Sequence, residues 1–261
     1  MSTSKGDPLL TTIRDLARRR GRERRGLALA EGVRLVEEAL AAGVPVRGAA
    51  VSSALEGTPR GAALKTALAS RRVPLLEVTP GELEALADTE QPQGIVAVVE
   101  PRGRRLEDIP TAAGSVVLVL DAVQDPGNVG TMLRTALALG ASGVVALKGT
   151  AELTNPKVLR GSMGAAFRLP AATADIDGFI AWARSRGVEL IVAAADGEPV
   201  TRGRRGSAPI ALVVGNEGAG VSPSLAAAAA RRVAIPLAPT VESLNVAVAA
   251  GILLYEVSRD A

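Results

Sequence analysis

The sequence predicts an α/β protein: a C-terminal domain built on a parallel sheet with helices on both faces, preceded by a smaller α/β domain. Two observations carry this. Past residue 116, short runs of near-continuous Val, Leu, Ile and Ala alternate with helical patterns, which is how strands buried on both faces read. Before residue 101 the alternation is shorter, and "PRGRRLEDIPTAAGS" (101–115), with Pro, Gly and three arginines, has neither the strand nor the helix period. A chain of 261 residues has room for two domains. The boundaries that follow are 1–101, a linker 102–115, and 116–261.

In chain order, Leu9, Ile13, Leu16 and Ala17 form one helical stripe, and "EGVRLVEEALAAG" (31–43) forms another that Gly43 closes as a C-cap. Strands are expected at 46–51, 74–78 and 94–100 ("GIVAVVE"). The second domain gives strands at 116–120, 143–147, 188–194, 210–215 and 232–236. Its helices are expected from 126, near 156–160, 176–186 and 223–230, with a final one from about 243. Ligands of such sheets sit beyond the carboxyl ends of the strands, so the loops there are the place to look.

Composition excludes much chemistry. The chain has no Cys and no His, so disulfides, thiol nucleophiles, His-based triads and ordinary zinc sites are excluded, and no metal is expected. Four aromatic residues leave no stacking platform for bases. No stretch approaches the ~18 apolar residues of a membrane span, and the N-terminus lacks the apolar core of a signal sequence. The expectation is a soluble, cytoplasmic protein. Charge is uneven: residues 1–26 hold Lys5 and seven arginines against Asp7, Asp15 and Glu23, a local excess of 8 − 3 = +5 in a chain of net +3. The run "RRRGRERR" (18–25) is an electrostatic footprint for polyanions or, on charge alone, a solvated basic terminus.

Three loops could carry chemistry. In "LDAVQDPGNVGTMLRTALALGA" (120–141), Asp125 is placed to cap a helix that starts at Pro126. Val129, Met132, Leu133, Ala136 and Leu137 make its buried stripe. Arg134 lies off that stripe, as an ordinary surface arginine would. "VVGNEGAGVSP" (213–223) brings three glycines after a strand, with the Asn216 amide and the Glu217 carboxylate beside them. Its glycines run GxxGxG rather than GxGxxG, and no GxxxxGK[ST] occurs, so the dinucleotide and P-loop fingerprints are absent. In "IPLAPTVESLNVAVAAGILLYE" (235–256), Glu242, Ser243 and Asn245 cluster at the mouth of an apolar helix, where Ser243 alone could be an N-cap.

Taken together and in this order, the three segments resemble the signature motifs of the SpoU/TrmH family of RNA ribose 2′-O-methyltransferases. "LALAEGVRLVEEAL" and "TEQPQGIVAVVE" are similar to the L30e-like RNA-binding domain that many members carry. The resemblance implies a SPOUT-type C-terminal domain whose last segment threads a deep trefoil knot, and a homodimer with the active site completed near the subunit interface. It implies S-adenosylmethionine held by Gly215, Asn216, Glu217, Gly218, Ile235, Leu237, Ser243, Leu244 and Asn245. Pro239 stands where the family commonly has glycine, and Ala247 replaces a frequent serine.

The resemblance further assigns Arg134, Asn128, Ser243 and Asn245 to catalysis. A guanidinium is a poor proton acceptor, so Arg134 is expected to stay cationic, to grip a phosphate of the RNA and to stabilise the developing alkoxide. Asn128 would orient ribose or phosphate, with Ser243 and Asn245 holding donor and acceptor in line. RNA contacts are expected from Arg18, Arg19, Arg22, Arg25 and Arg34, and from Arg160, Ser162 and Arg168 in "NPKVLRGSMGAAFRLP" (155–170). Ribosomal RNA is the expected substrate. The alternatives are a tRNA ribose methyltransferase and a non-catalytic RNA-binding or ribosome-assembly factor on the same fold.

Overall fold

The computed structural model describes residues 6–89, 91–200 and 207–258. Lys5, counted in the basic terminus, and Glu90, inside one of the motifs above, lie outside them. Helix α1 (Pro8–Leu16) starts on Asp7, whose carboxylate accepts from the Leu9 amide at 2.7 Å, with Pro8 in the first turn. Its buried face is Leu10, Ile13 and Leu16; Ala17, expected on that face, is an exposed C-cap. Then come α2 (Arg19–Arg25), β1 (Ala28–Glu31), α3 (Val33–Ala41), β2 (Val46–Val51), α4 (Pro59–Ser70), β3 (Leu75–Glu77), α5 (Pro80–Glu84) and β4 (Ile95–Val99). The expected helix from Glu31 begins two residues later because Glu31 ends β1, a strand whose "ALAE" carries no β-branched residue to announce it.

These strands form one sheet in the order β1-β4-β2-β3, with β4 antiparallel to β1 and β2, and β3 parallel to β2. Strand alternation splits its side chains between two cores. Ile95, Ala97 and Val99 pack with Val36, Ala39, Leu64 and Leu68; Val96 and Val98 pack with Leu10, Ile13, Leu16 and Leu83. The N-terminal helix therefore seals one face of a sheet, and the arginines that follow it are not on a loose tail.

The rest of the chain gives β5 (Val116–Leu120), α6 (Pro126–Ala138), β6 (Gly143–Leu147), α7 (Pro156–Ser162), α8 (Ala165–Arg168), β7 (Ala171–Ala174), α9 (Ile176–Ser185), β8 (Glu189–Pro199), β9 (Ile210–Val214), α10 (Pro223–Ala228), β10 (Arg231–Ala234) and α11 (Val246–Ser258). Six strands form an all-parallel sheet in the order β10-β8-β9-β5-β6-β7. On one face Val117, Val119, Val145 and Val213 pack with Phe179 and Trp182 of α9 and Leu225 of α10. Helix α6 contacts β6, and after the edge strand β10 the chain returns to the sheet centre, where α11 meets α6, β5 and β9. Among the described residues, no helix is long and apolar enough to cross a membrane.

Two expected boundaries change. The chain divides into Met1–Arg102 with Thr154–Phe167, and Gly103–Leu153 with Arg168–Ala261. Most of the expected linker belongs to the second unit, because Ile109 is buried there and a Cβ on Gly143 would come within 2.8 Å of it. Segment 154–167, expected in the C-terminal domain, belongs to the first unit: Leu159 lies in its core, and Ala166 and Phe167 pack against that core.

Candidate active site

Three loops leave the carboxyl ends of central and edge strands of the parallel sheet: 121–125 after β5, 215–222 after β9 and 235–245 after β10. Two hydrogen bonds tie the first to the second. Asp121, 1% exposed, accepts from the Ser222 amide at 2.6 Å, and Asn216 donates its side-chain amide to the Ala122 carbonyl at 3.0 Å. Ala122 holds that carbonyl with a φ of 54°, a conformation that a non-glycine residue keeps only where its surroundings enforce it.

Asn216 shapes its own loop. Its Oδ1 accepts from the Gly218 and Ala219 amides at 2.9 and 3.1 Å, and its backbone pairs in both directions with Gly220. The side-chain amide that the sequence offers to a ligand is thus engaged within the protein. Gly215 has to be glycine, since a Cβ there would fall 2.2 Å from the Gly220 carbonyl.

A second set of bonds joins all three loops. Asp125 caps α6 through the Asn128 amide at 2.8 Å, as its spacing predicts. The Asn128 side chain donates to Glu217 Oε1 at 2.5 Å and accepts from Asn245 Nδ2 at 3.1 Å. Asn245 Oδ1 in turn accepts from the Ala247 and Val248 amides, at 2.9 and 3.3 Å, so Asn245 rather than Ser243 caps α11. Glu217, Asn128 and Asn245, 89 and 117 residues apart along the chain in successive pairs, form one hydrogen-bonded row.

Beside the row lies a cavity of about 180 Å³. Of the residues expected to hold the cofactor, Gly215, Asn216, Glu217, Ile235, Leu237, Ser243 and Leu244 line it, while Gly218 and Asn245 do not. The remaining lining includes Ala193, Ala194 and Ala195, Glu242, and Val246, Ala249 and Leu253 of α11. The alanines went unnoticed in the sequence. They belong to a stretch, 193–197, that drops out of the β8–β10 ladder, for Arg232 pairs with Val192 and Val233 with Glu198. Gly197 permits it: a Cβ there would meet the Val233 backbone at 2.6 Å. The signal was small residues at a strand's carboxyl end. Pro239 sits in an exposed turn closed by the Val241 amide on the Ala238 carbonyl at 2.9 Å, and Ala247 is buried on α11.

Arg134 is exposed on α6, does not line the cavity and has no partner among the described residues. On the expected apolar stripe of that helix, Val129, Met132, Leu133 and Ala136 are buried, but Leu137 is 37% exposed.

The residues expected to contact RNA divide sharply. Arg22 is 5% exposed and donates to the Leu16 and Ala17 carbonyls at 2.9 and 3.1 Å, finishing the end of α1. Ser162 is 1% exposed and donates to the Leu159 carbonyl at 2.7 Å. Arg19 pairs with Glu23 at 2.7 Å, and Arg25 shares Asp15 with Arg24 at 2.6 and 2.7 Å. That pairing, with Arg25 foremost, holds the Asp15 carboxyl below the usual aspartate value. Arg160 bridges Glu31 and Asp88 at 3.4 and 2.6 Å. Arg18, Arg34 and Arg168 are exposed.

Residues 115–255 match the SpoU rRNA Methylase family, and residues 7–97 match the MRM3-like substrate binding domain. A tRNA/rRNA methyltransferase of Synechocystis, described as uncharacterized, is 34% identical over 259 residues, 98% of this chain and 93% of that protein. The 23S rRNA (guanosine(2553)-2′-O)-methyltransferase of Bacillus subtilis is 41% identical over 172 residues, 66% of this chain and 67% of its own. The crystal structure of AdoMet-bound rRNA methyltransferase from Sinorhizobium meliloti aligns with a TM-score of 0.86 at 33% identity, covering 98% of this chain and 96% of that one.

Proposed function

The chain belongs to the SpoU rRNA methylase family, and on that premise we propose that it transfers a methyl group from S-adenosylmethionine to a ribose 2′-hydroxyl of structured RNA, ribosomal RNA first. The observation that carries this reading is the row Glu217–Asn128–Asn245 beside the cavity, which draws three distant loops to one place.

The cavity suits the donor. Ile235, Leu237 and Leu244 offer apolar surface to a purine, the Gly220 backbone, with nothing within 4 Å of where a Cβ would stand, leaves close approach open, and the Glu217 and Glu242 carboxylates would suit the donor's positive charge. Bound there, the donor supplies a methyl group on a positively charged sulfur. What is left for the protein is to align the attacking oxygen and to manage its proton. Asn128, its amide fixed from both sides, orients ribose or phosphate, while Ser243 and Asn245 keep the acceptor in line. Arg134 stays cationic and stabilises the oxygen as it loses its proton to water or to a phosphate oxygen.

The return of α11 from the edge strand to the sheet centre supports the knotted path that the family resemblance implies. A homodimer is part of the proposal. Val248, Ile252 and Tyr255 on α11 are 51%, 38% and 42% exposed and, with Leu137 of α6, leave apolar surface uncovered. Arg134 shares the outer side of α6 with Leu137, so a dimer built on this face brings the guanidinium to the subunit boundary. The reaction is read as cytoplasmic, where ribosomal RNA is assembled and modified.

The test is calorimetry of the full chain with S-adenosylmethionine, followed by transfer of labelled methyl groups to ribosomal RNA and to tRNA. Uptake of the donor with ribose methylation of ribosomal RNA is expected. Label on tRNA alone would move the substrate, and donor uptake without label on either RNA would leave a binding protein.

A further inference from the structure

The first unit holds a cleft of its own, of about 270 Å³, between the end of β1, the first turn of α3, the residues Thr89, Gln91 and Gln93, and α7 with its C-cap Met163. One wall of it is internally complete. Glu31, 7% exposed, accepts from the Asp88 and Thr89 amides at 2.9 and 3.2 Å, from the Thr89 hydroxyl, and from Arg160. A buried carboxylate met on all sides costs little and fixes the shape around it.

The rest of the lining is incomplete. Arg34 and Gln91 are exposed and have no hydrogen-bond or ion-pair partner among the described residues. Gln93 uses Oε1 to accept from the Val33 amide at 3.1 Å, which leaves its NH₂ group without a partner among the described residues. The cleft thus presents a guanidinium, an amide donor, one amide of either sense, and the apolar flanks of Leu35 and Met163. Its lining has no aromatic ring. A base held there would be read by hydrogen bonds rather than by stacking on an aromatic ring.

We propose that this cleft takes one unstacked base of the RNA, other than the nucleotide methylated, and selects a base that presents a carbonyl where cytosine or adenine presents an amino group, uracil at O4 or guanine at O6. The inference rests on the reading of the substrate as RNA. It gains support from the match of residues 7–97, which include most of the lining, to a substrate binding domain.

Uracil and cytosine are the same size and differ at positions 3 and 4: uracil presents an N–H donor and a carbonyl acceptor, cytosine a ring-nitrogen acceptor and an amino donor. Fluorescence anisotropy of the full chain with labelled octamers rU₈ and rC₈ at one salt concentration reads this difference. The expected result is tighter binding of rU₈ by on the order of tenfold. In the double variant Arg34→Met/Gln91→Ala the ratio should fall to about one, while S-adenosylmethionine uptake, as a check on folding, stays unchanged. Loss of the arginine charge weakens both octamers alike, so the ratio and not the affinity is the readout. Equal affinities in the parent protein, or an unaltered ratio in the variant, overturn the proposal. If the chain methylates ribosomal RNA yet shows no preference, the cleft proposal falls alone. If the preference stands without methyl transfer to any RNA, the enzymatic reading falls alone.

Discussion

Arg134 is solvated and without a partner among the described residues, which is what a side chain reserved for a phosphate needs before RNA arrives. Because it stays outside the cavity, the donor site should not depend on it. Arg134→Ala is expected to lower turnover by about 10²- to 10³-fold, as loss of one charge-stabilising donor does, with S-adenosylmethionine affinity within twofold by calorimetry. Arg134→Lys keeps the charge but loses the fork, and near-normal turnover in it would rule out bidentate grip. Gly215→Ala is the opposite case. Its Cβ would collide with the Gly220 carbonyl, so donor affinity should collapse together with turnover. Asp15 gives a pH prediction. Its folded pKa is lowered, first by Arg25 and then by Arg24, so its contribution to stability is present above the unfolded aspartate value and is lost as pH falls through the lower folded value. A carboxyl-detected NMR titration should place its midpoint below 3.8, and a midpoint at or above that value would break the link to the arginines.

At the scale of elements, the basic run shows what charge counting leaves out. Read along the chain, 18–25 is a polyanion footprint; folded, it is a helix in which Arg22 caps α1 from within and three other arginines face carboxylates. Arg18 and Arg20 are left exposed and without partners among the described residues. Arg18→Gln/Arg20→Gln should therefore reduce the salt slope of RNA binding by about 0.7 for each phosphate no longer neutralised and leave the melting temperature nearly unchanged. Arg22→Gln should lower the melting temperature with little effect on the slope, and the reverse pattern would restore Arg22 to the RNA surface. Most strands of the parallel sheet were legible because burial on both faces writes itself as unbroken Val, Leu and Ile; β1 and β7, "ALAE" and "AATA", were not, since alanine favours helix and does not announce a strand. In the site, cap chemistry made Asp125 readable. The amide row was not readable as a row, because a bond between residues 128 and 245 has no local signature.

For the whole molecule, the domain boundary was the least legible feature, and for a physical reason. Segment 154–167 has the helix caps and apolar spacing of any short helical stretch, and nothing local says that Leu159 completes the core of the first unit rather than the second. Assembly is the corresponding question on the outside. Helix α11 is apolar nearly all round: Val246, Ala250, Leu253 and Leu254 are buried within the subunit, while Val248, Ile252 and Tyr255 share the outward face at helical spacing. A solvated helix would carry charge at those positions, so a second copy of the chain is the partner expected to cover them. Ile252→Asp places an unpaired carboxylate in the middle of that face and should convert a dimer into a monomer in sedimentation experiments. The substitution lies outside the cavity lining, so S-adenosylmethionine uptake should survive in the monomer, whereas methyl transfer should fall with the dimer if Arg134 acts at the subunit boundary. A parent protein that sediments as a monomer, or a variant that remains a dimer, would assign the exposed apolar face some other role. A monomeric variant with full turnover would return Arg134 to its own subunit.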